Sequence, residues 1–402
     1  MNTAPNTHNP RRILIFSLAY YPRLVGGAEV AVKEITDRLA AQGFTFDMVT
    51  IGDGRNLDGR LKGSAETIGN VIVHRVFKDI GPIQKLFFPF AAYFKACSLH
   101  KKQPYDAIWS IMAARAGFAA LFFKWKKPQV PFILTLQEGD RLDYAERRAG
   151  PVAPLVKYIF RSADRITAIS NFLADWAKSM GAKCPISLVP NGVDYDVFST
   201  FRPNADLNAL KTKLGKKEND VFLVTTSRLV AKNAVGDIID ALQYLPPNVK
   251  LLILGAGELE NDLKARAIKL RLNSAESNRI IFVGHIEHAN LPAYLQISDI
   301  FVRPSLSEGL GNSFLEAMAA GIPVIATPVG GIPDFLKDGE TGLFCETNNP
   351  RSIAQKAEKL MKDRESRDYI TGRARDLVRM KYSWTGTAAG MKSAFDSATL
   401  KK

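Results

Sequence analysis

The stretch DIFVRPSLSEGLGNSFLEAMAAGIPVIATP, residues 299–328, reads as strand, glycine loop, helix and strand in one run. DIFVRPS and PVIATP are short apolar segments rich in β-branched residues. NSFLEAMAA between them is a helical run that closes on Gly321. Two parallel strands joined by a helical crossover make a β-α-β unit. The loop SEGLG lies where the first strand hands over to the helix. Backbone N–H groups at a helix start have no partner within the helix, and the macrodipole adds positive charge, which suits phosphate.

The same alternation continues on both sides. In the second half, strands are expected at 221–227, 250–255, 280–284, 299–305, 323–328 and 342–345, with amphipathic helices between them. In the first half they are expected at 11–20, 45–52, 106–110, 131–137, 165–170 and 186–190. Apolar strands alternating with helices predict parallel sheets covered on both faces. Periodicity lapses from VPNGVD (189–194) to about residue 205, so a linker is placed there. The expected architecture is α/β, with two doubly wound, Rossmann-like domains facing a cleft. The boundaries are 1–195, 196–380 and a last segment, 381–402.

The chain has 402 residues, 46% hydrophobic and 23% charged, an ordinary globular composition. Its formal charge is +14, of which residues 1–200 carry +9 and residues 201–402 carry +5. Basic surface favours anionic partners without choosing among phosphate ligands, acidic lipid and nucleic acid. Nucleic acid is not expected, because no aromatic and basic module of known spacing appears. Three dispersed cysteines argue against a disulfide framework, and no metal spacing is present. ILIFSLAYYP reads as a buried strand rather than a signal segment, and no run of 18 apolar residues occurs. The expected compartment is the cytoplasm, with peripheral contact on the inner face of an anionic membrane.

Candidate ligand-binding residues cluster at strand ends. Glu308 and Glu316 stand eight positions apart, with Gly309, Leu310, Gly311, Asn312 and Ser313 among the residues between. A carboxylate accepts two hydroxyl hydrogens at once, so the acids can grip polyols on either side of a phosphate. A glycine turn followed by a solvated acid fits the same letters. Arg228 and Lys232, in SRLVAKN (227–233), can neutralise a diphosphate without a metal ion. Gly26 and Gly27 in LVGGAEV (24–30) permit close backbone approach or simply start a helix. Gly255 and Gly257 lack the third glycine of a dinucleotide fingerprint, because Glu260 occupies that place. His285 could border a base pocket, with backbone contacts around Gly284 an equal reading.

With these motifs in order, the chain resembles the family 4 retaining glycosyltransferases of the GT-B fold. The resemblance is carried by GGAE (26–29), SRLVAKN (227–233), VGHI (283–286), PNGVD (190–194) and SEGLGNSFLEAMAAGIPVIATPVGG (307–331), including the family's pair of glutamates. It implies that Arg228 and Lys232 hold the donor diphosphate. It implies that Glu316 binds the ribose, and that Glu308 contacts the transferred sugar. Gly309 to Ser313 would supply amides, with Gly26, Gly27, Asn191, Gly284, His285 and Ile286 completing the donor site. The implied reaction moves a hexose from a UDP- or GDP-linked sugar to an acceptor hydroxyl, with retention and no obligatory metal or other cofactor. The acceptor would be a glycan or lipid-linked glycan of cell-surface polysaccharide synthesis. The final segment would cross back to the N-terminal domain.

One position departs from the family pattern. Many members carry a histidine at the end of an N-terminal strand, where ILTLQEGD places Gln137 with Glu138 beside it. Both are taken as catalytic candidates. A glutamine cannot titrate, which leaves a non-catalytic nucleotide-sugar binder as an alternative, and a nucleotide-sugar epimerase as another. On the basic N-terminal side, Phe90, Tyr93, Phe94 and Cys97 share a helical face, followed by FFKWKK (122–127). That face either packs on the sheet or lies in a membrane interface.

Overall fold

The structure, a computed structural model, describes residues 10–22, 26–52, 65–77, 81–140, 153–273 and 278–399. The chain divides into two compact units, Met1–Gly192 with Trp384–Lys402, and Val193–Ser383. The helix expected to begin in LVGGAEV starts at Gly27, and Leu24 and Val25 of that motif lie outside the described residues, as does the N-terminal tail.

The N-terminal unit is built on eight strands: β1 (Arg11–Phe16), β2 (Phe44–Thr50), β3 (Glu66–Ile68), β4 (Val71–Arg75), β5 (Ala107–Ile111), β6 (Phe132–Leu136), β7 (Arg165–Ala168) and β8 (Ile186–Leu188). Their order is β3-β4-β2-β1-β5-β6-β7-β8. Each pairing is parallel except β3 with β4. That edge differs from the all-parallel expectation. Ile68 pairs Val71 across a two-residue turn, Gly69-Asn70, with Gly69 at φ +58°. This is a tight hairpin, which by its nature joins antiparallel strands. The inner strands β1, β5 and β6 are buried along nearly their whole length, as a sheet covered on both faces requires.

The C-terminal unit holds β9 (Val221–Thr226), β10 (Val249–Leu254), β11 (Ile280–Gly284), β12 (Ile300–Arg303), β13 (Val324–Ala326) and β14 (Leu343–Phe344). The order is β11-β10-β9-β12-β13-β14, and all pairs are parallel. The carboxyl ends of the strands therefore share one edge of the sheet, the edge where such folds bind ligands. The expected linker is partly helical, at Tyr195–Ser199 and Asn204–Lys213. Asp194 caps the first of these by accepting from the Val197 N–H.

Chain ends matter to the N-terminal unit. The last helix, Trp384–Thr399, buries Trp384, Ala388, Met391, Phe395 and Ala398 in one cluster with Ile13, Trp109 and Ile133 of the sheet. Among the described residues no helix is long and apolar enough to cross a membrane.

Candidate active site

In the C-terminal unit, β12 ends at Arg303, and the loop behind it leads into the helix Asn312–Ala319. Gly311 precedes that helix at φ +91°, a backbone state that favours glycine, and a Cβ there would meet the Phe314 ring at 2.5 Å. Glu316 lies one turn inside the helix. Its Oε1 stands 2.9 Å from Nε2 of the exposed His288.

Glu308 is buried, with 7% exposure. Its carboxylate accepts from Nη2 of Arg303, and its Oε1 accepts from the Gly309 N–H at 3.2 Å. The same guanidinium donates through Nη1 to Ser313 Oγ at 2.7 Å and through Nη2 to Asn233 Oδ1 at 3.2 Å. It also lies 5.2 Å from the centre of the Phe314 ring. One buried cation thus ties Glu308, the helix start and the loop after β9 into a single network. Burying a charge is costly unless it is paired and hydrogen-bonded, and here both ions are.

The loop after β9 carries Arg228, which is exposed, and Lys232, which is partly buried. Asn233 donates through Nδ2 to the Arg228 carbonyl at 2.6 Å, and the Leu306 N–H donates to the Lys232 carbonyl at 2.7 Å. These bonds stitch SRLVAKN to the loop of the two glutamates. Behind them, Gly331 donates its N–H to the Glu308 carbonyl at 3.1 Å. A Cβ on Gly330 would stand 1.8 Å from that carbonyl oxygen, so the PVGG segment must come this close.

Gly255 and Gly257 have a related explanation. A Cβ on Gly255 would meet the Ser227 carbonyl oxygen at 1.9 Å, and one on Gly257 would meet Leu229 backbone at 2.4 Å. Close packing of two loops requires these glycines. Gly284, at φ +83°, ends β11 and accepts from the Gly255 N–H at 2.7 Å. His285 beyond it is exposed and Ile286 partly buried.

The N-terminal unit gathers a second group at its own strand ends. Gln137 follows β6 and exchanges two amide bonds with Asn191: Nε2 donates to Asn191 Oδ1 at 3.2 Å, and Asn191 Nδ2 donates to Gln137 Oε1 at 3.1 Å. Glu138 accepts from the Ala113 N–H at 2.6 Å and from the Gln137 N–H at 2.9 Å. Burial nevertheless prevails over these donors and pushes its carboxyl up to about 7. Gly26 caps the helix Gly27–Ala40, its N–H donated to Glu29 Oε2 at 2.8 Å.

The expected donor residues of the C-terminal unit therefore converge on one sheet edge, and Gln137, Glu138 and Asn191 converge on another. Two residues escaped the sequence reading. Arg303 was signalled by a lone cation inside an apolar strand, an expensive placement without a partner. The other is His288, which reaches Glu316 where the candidate His285 does not.

The pattern described as "Glycosyltransferase Family 4" matches residues 25–197, and that described as "Glycosyl transferases group 1" matches residues 207–377. The chain belongs to the family 4 glycosyltransferases. It has the GT-B fold. This glycosyltransferase is 27% identical over 370 residues to the N-acetyl-alpha-D-glucosaminyl L-malate synthase of Bacillus anthracis, covering 91% of this chain and 92% of that one. It is 29% identical over 251 residues to the GDP-mannose-dependent alpha-(1-6)-phosphatidylinositol monomannoside mannosyltransferase of Mycobacterium tuberculosis, covering 60% of this chain and 63% of the relative. Among solved structures, Anabaena HepE in complex with UDP and glucose matches with a TM-score of 0.78 at 19% identity, over 96% of this chain and 100% of that chain.

Proposed function

We propose that this glycosyltransferase moves a hexose from a UDP- or GDP-linked donor to the hydroxyl of a glycan or lipid-linked glycan, with retention and without an obligatory metal. Its place would be cell-surface polysaccharide synthesis, on the inner face of the cytoplasmic membrane. The observation that carries the reading is the sheet edge in the C-terminal unit where the loop of Arg228 and Lys232 is hydrogen-bonded to the loop of Glu308, at the start of the helix that carries Glu316. The relatives add support through their names, one of which specifies GDP-mannose. HepE adds a complex with UDP.

In this reading Arg228 and Lys232 hold the donor diphosphate and offset the charge that develops on it. Glu316 accepts the ribose hydroxyls, and the loop amides face sugar and phosphate. The bond from the anomeric carbon to the diphosphate oxygen breaks. The bond to the acceptor oxygen forms on the same face of the sugar, and the acceptor proton passes to the leaving phosphate. Gln137, which cannot titrate, orients a hydroxyl through its amide rather than taking that proton. Glu138 supports the same side.

The test is calorimetry with UDP, GDP, ADP and CMP, with a chelator present, on the wild type and Glu316→Ala. One nucleotide should bind clearly. The variant should bind it about tenfold or more weakly, the loss of a charge-assisted hydrogen bond of about 1.5–3 kcal/mol. His288 is exposed, so losing its partner should leave the fold intact. Equal binding by the variant would sink the ribose assignment.

A further inference from the structure

The helix Pro82–Lys102 buries Phe88, Pro89, Ala92 and Ala96 and turns its aromatic face outward. Phe87, Phe90 and Phe94 are 53%, 52% and 67% exposed, and Ile83 and Leu86 extend the face toward the first turn. The aromatic face is therefore left exposed rather than packed on the sheet. The neighbouring helices continue the surface. Phe90 stacks on Phe122 at 5.3 Å, Phe122 meets Trp125 at 6.0 Å, and Trp125 meets Tyr158 at 6.5 Å. Trp125 is 55% and Tyr158 46% exposed.

Single exposed apolar residues are ordinary, but a run of large rings in mutual contact is a binding surface. Its charge says for what. The three helices that form it, Pro82–Lys102, Arg115–Lys126 and Ala153–Ser162, contain lysines and arginines and not one Asp or Glu. Lys126, Lys157 and Arg161 on these helices are exposed, and the Arg161 guanidinium lies 5.9 Å from the centre of the Tyr158 ring. Aromatic rings flanked by cations match the boundary between acyl chains and anionic headgroups. An apolar protein partner would not call for so one-sided a charge.

We propose that this face docks on an anionic lipid bilayer, with Phe87, Phe90, Phe94 and Trp125 in the interface and Lys126, Lys157 and Arg161 on the headgroup phosphates. It names the surface that would meet a lipid-linked acceptor. It rests on the function proposed above only for that purpose, since docking is read without turnover.

The experiment is co-sedimentation of the full chain with vesicles of phosphatidylcholine, with and without phosphatidylglycerol. Tryptophan fluorescence is followed in the same samples. Of the four tryptophans, Trp109, Trp176 and Trp384 are buried, so a blue shift on binding reports Trp125. The wild type should bind the anionic vesicles, release with salt and shift blue. Lys126→Glu/Lys157→Glu should weaken that binding by more than about tenfold, as should Phe90→Ser/Phe94→Ser. Both variants should keep the wild-type nucleotide affinity, which separates lost docking from a lost fold or a wrong donor reading. Binding that ignores phosphatidylglycerol, variants that bind like the wild type, or a ring-dependent dimer without lipid binding would each overturn the proposal.

Discussion

Arg303 shows how one side chain organises a site that its own sequence neighbours do not reveal. Its guanidinium reaches Glu308, Ser313 and Asn233 with the Phe314 ring beside it, and both ions of the pair are buried. Removing the cation leaves a carboxylate in apolar surroundings. Arg303→Met should therefore cost about 3–5 kcal/mol in urea denaturation, the range for breaking a buried pair. Adding Glu308→Gln to that variant should return a measurable part of the loss, because the stranded charge is gone. A double variant no more stable than Arg303→Met alone would mean that the contacts to Ser313 and Asn233 carry the effect. The two glutamates were legible because a glycine loop followed by a helix is local grammar. Arg303 was not, because its partners are set by which loops the sheet brings side by side.

At the scale of elements, the loops after β5 and β6 illustrate a carboxyl held by backbone. Met112 sits at φ +68°, and the next residue, Ala113, gives its N–H to Glu138. The folded group takes its proton near 7, above the ordinary value of 4.5. The sign follows directly: the folded state binds the proton more tightly than the unfolded chain. Stability associated with this group is full below about 4.5 and is lost as pH rises through about 7. The change amounts to about 3 kcal/mol. Glu138→Gln should flatten that part of the stability profile between acid and neutral pH. An unchanged slope would assign it to another group. Most strands were readable at this scale, since apolar runs between turn signals are local. The expected strands appear, but β3 and β4 were not among them, and β3 was unreadable because three residues, Glu66–Ile68, show no period of their own. Only the turn at Gly69-Asn70 announces it.

At the scale of the molecule, the two units are not two halves of the chain. The helix Trp384–Thr399 belongs to the N-terminal unit, although the whole of the second unit precedes it in sequence. Phe395 lies 5.5 Å from the Trp109 ring, edge to face, and 5.9 Å from Phe44. Met391 Sδ sits 3.5 Å from Thr167 Oγ1, which in turn lies 2.7 Å from Thr135 Oγ1. Phe395→Ala should destabilise the N-terminal unit by about 3–5 kcal/mol. Urea unfolding followed by tryptophan fluorescence should register the loss, since all four tryptophans belong to this unit. A wild-type transition would show that the unit closes without this helix.

By itself, the sequence determined the alternation of strands and helices, the parallel sheets, the glycine loop with its paired acids and the two cations after β9. Each is a pattern within about thirty residues, where periodicity and backbone preference act directly. Tertiary structure alone decided that Arg303 holds Glu308, that His288 rather than His285 meets Glu316, and that Gln137 pairs with Asn191. It also decided that the rings of Phe90 and Phe94 face outward. Those outcomes depend on which strand ends lie adjacent and which helix faces are left uncovered. Both are set by packing between segments far apart in the chain, which local pattern does not encode.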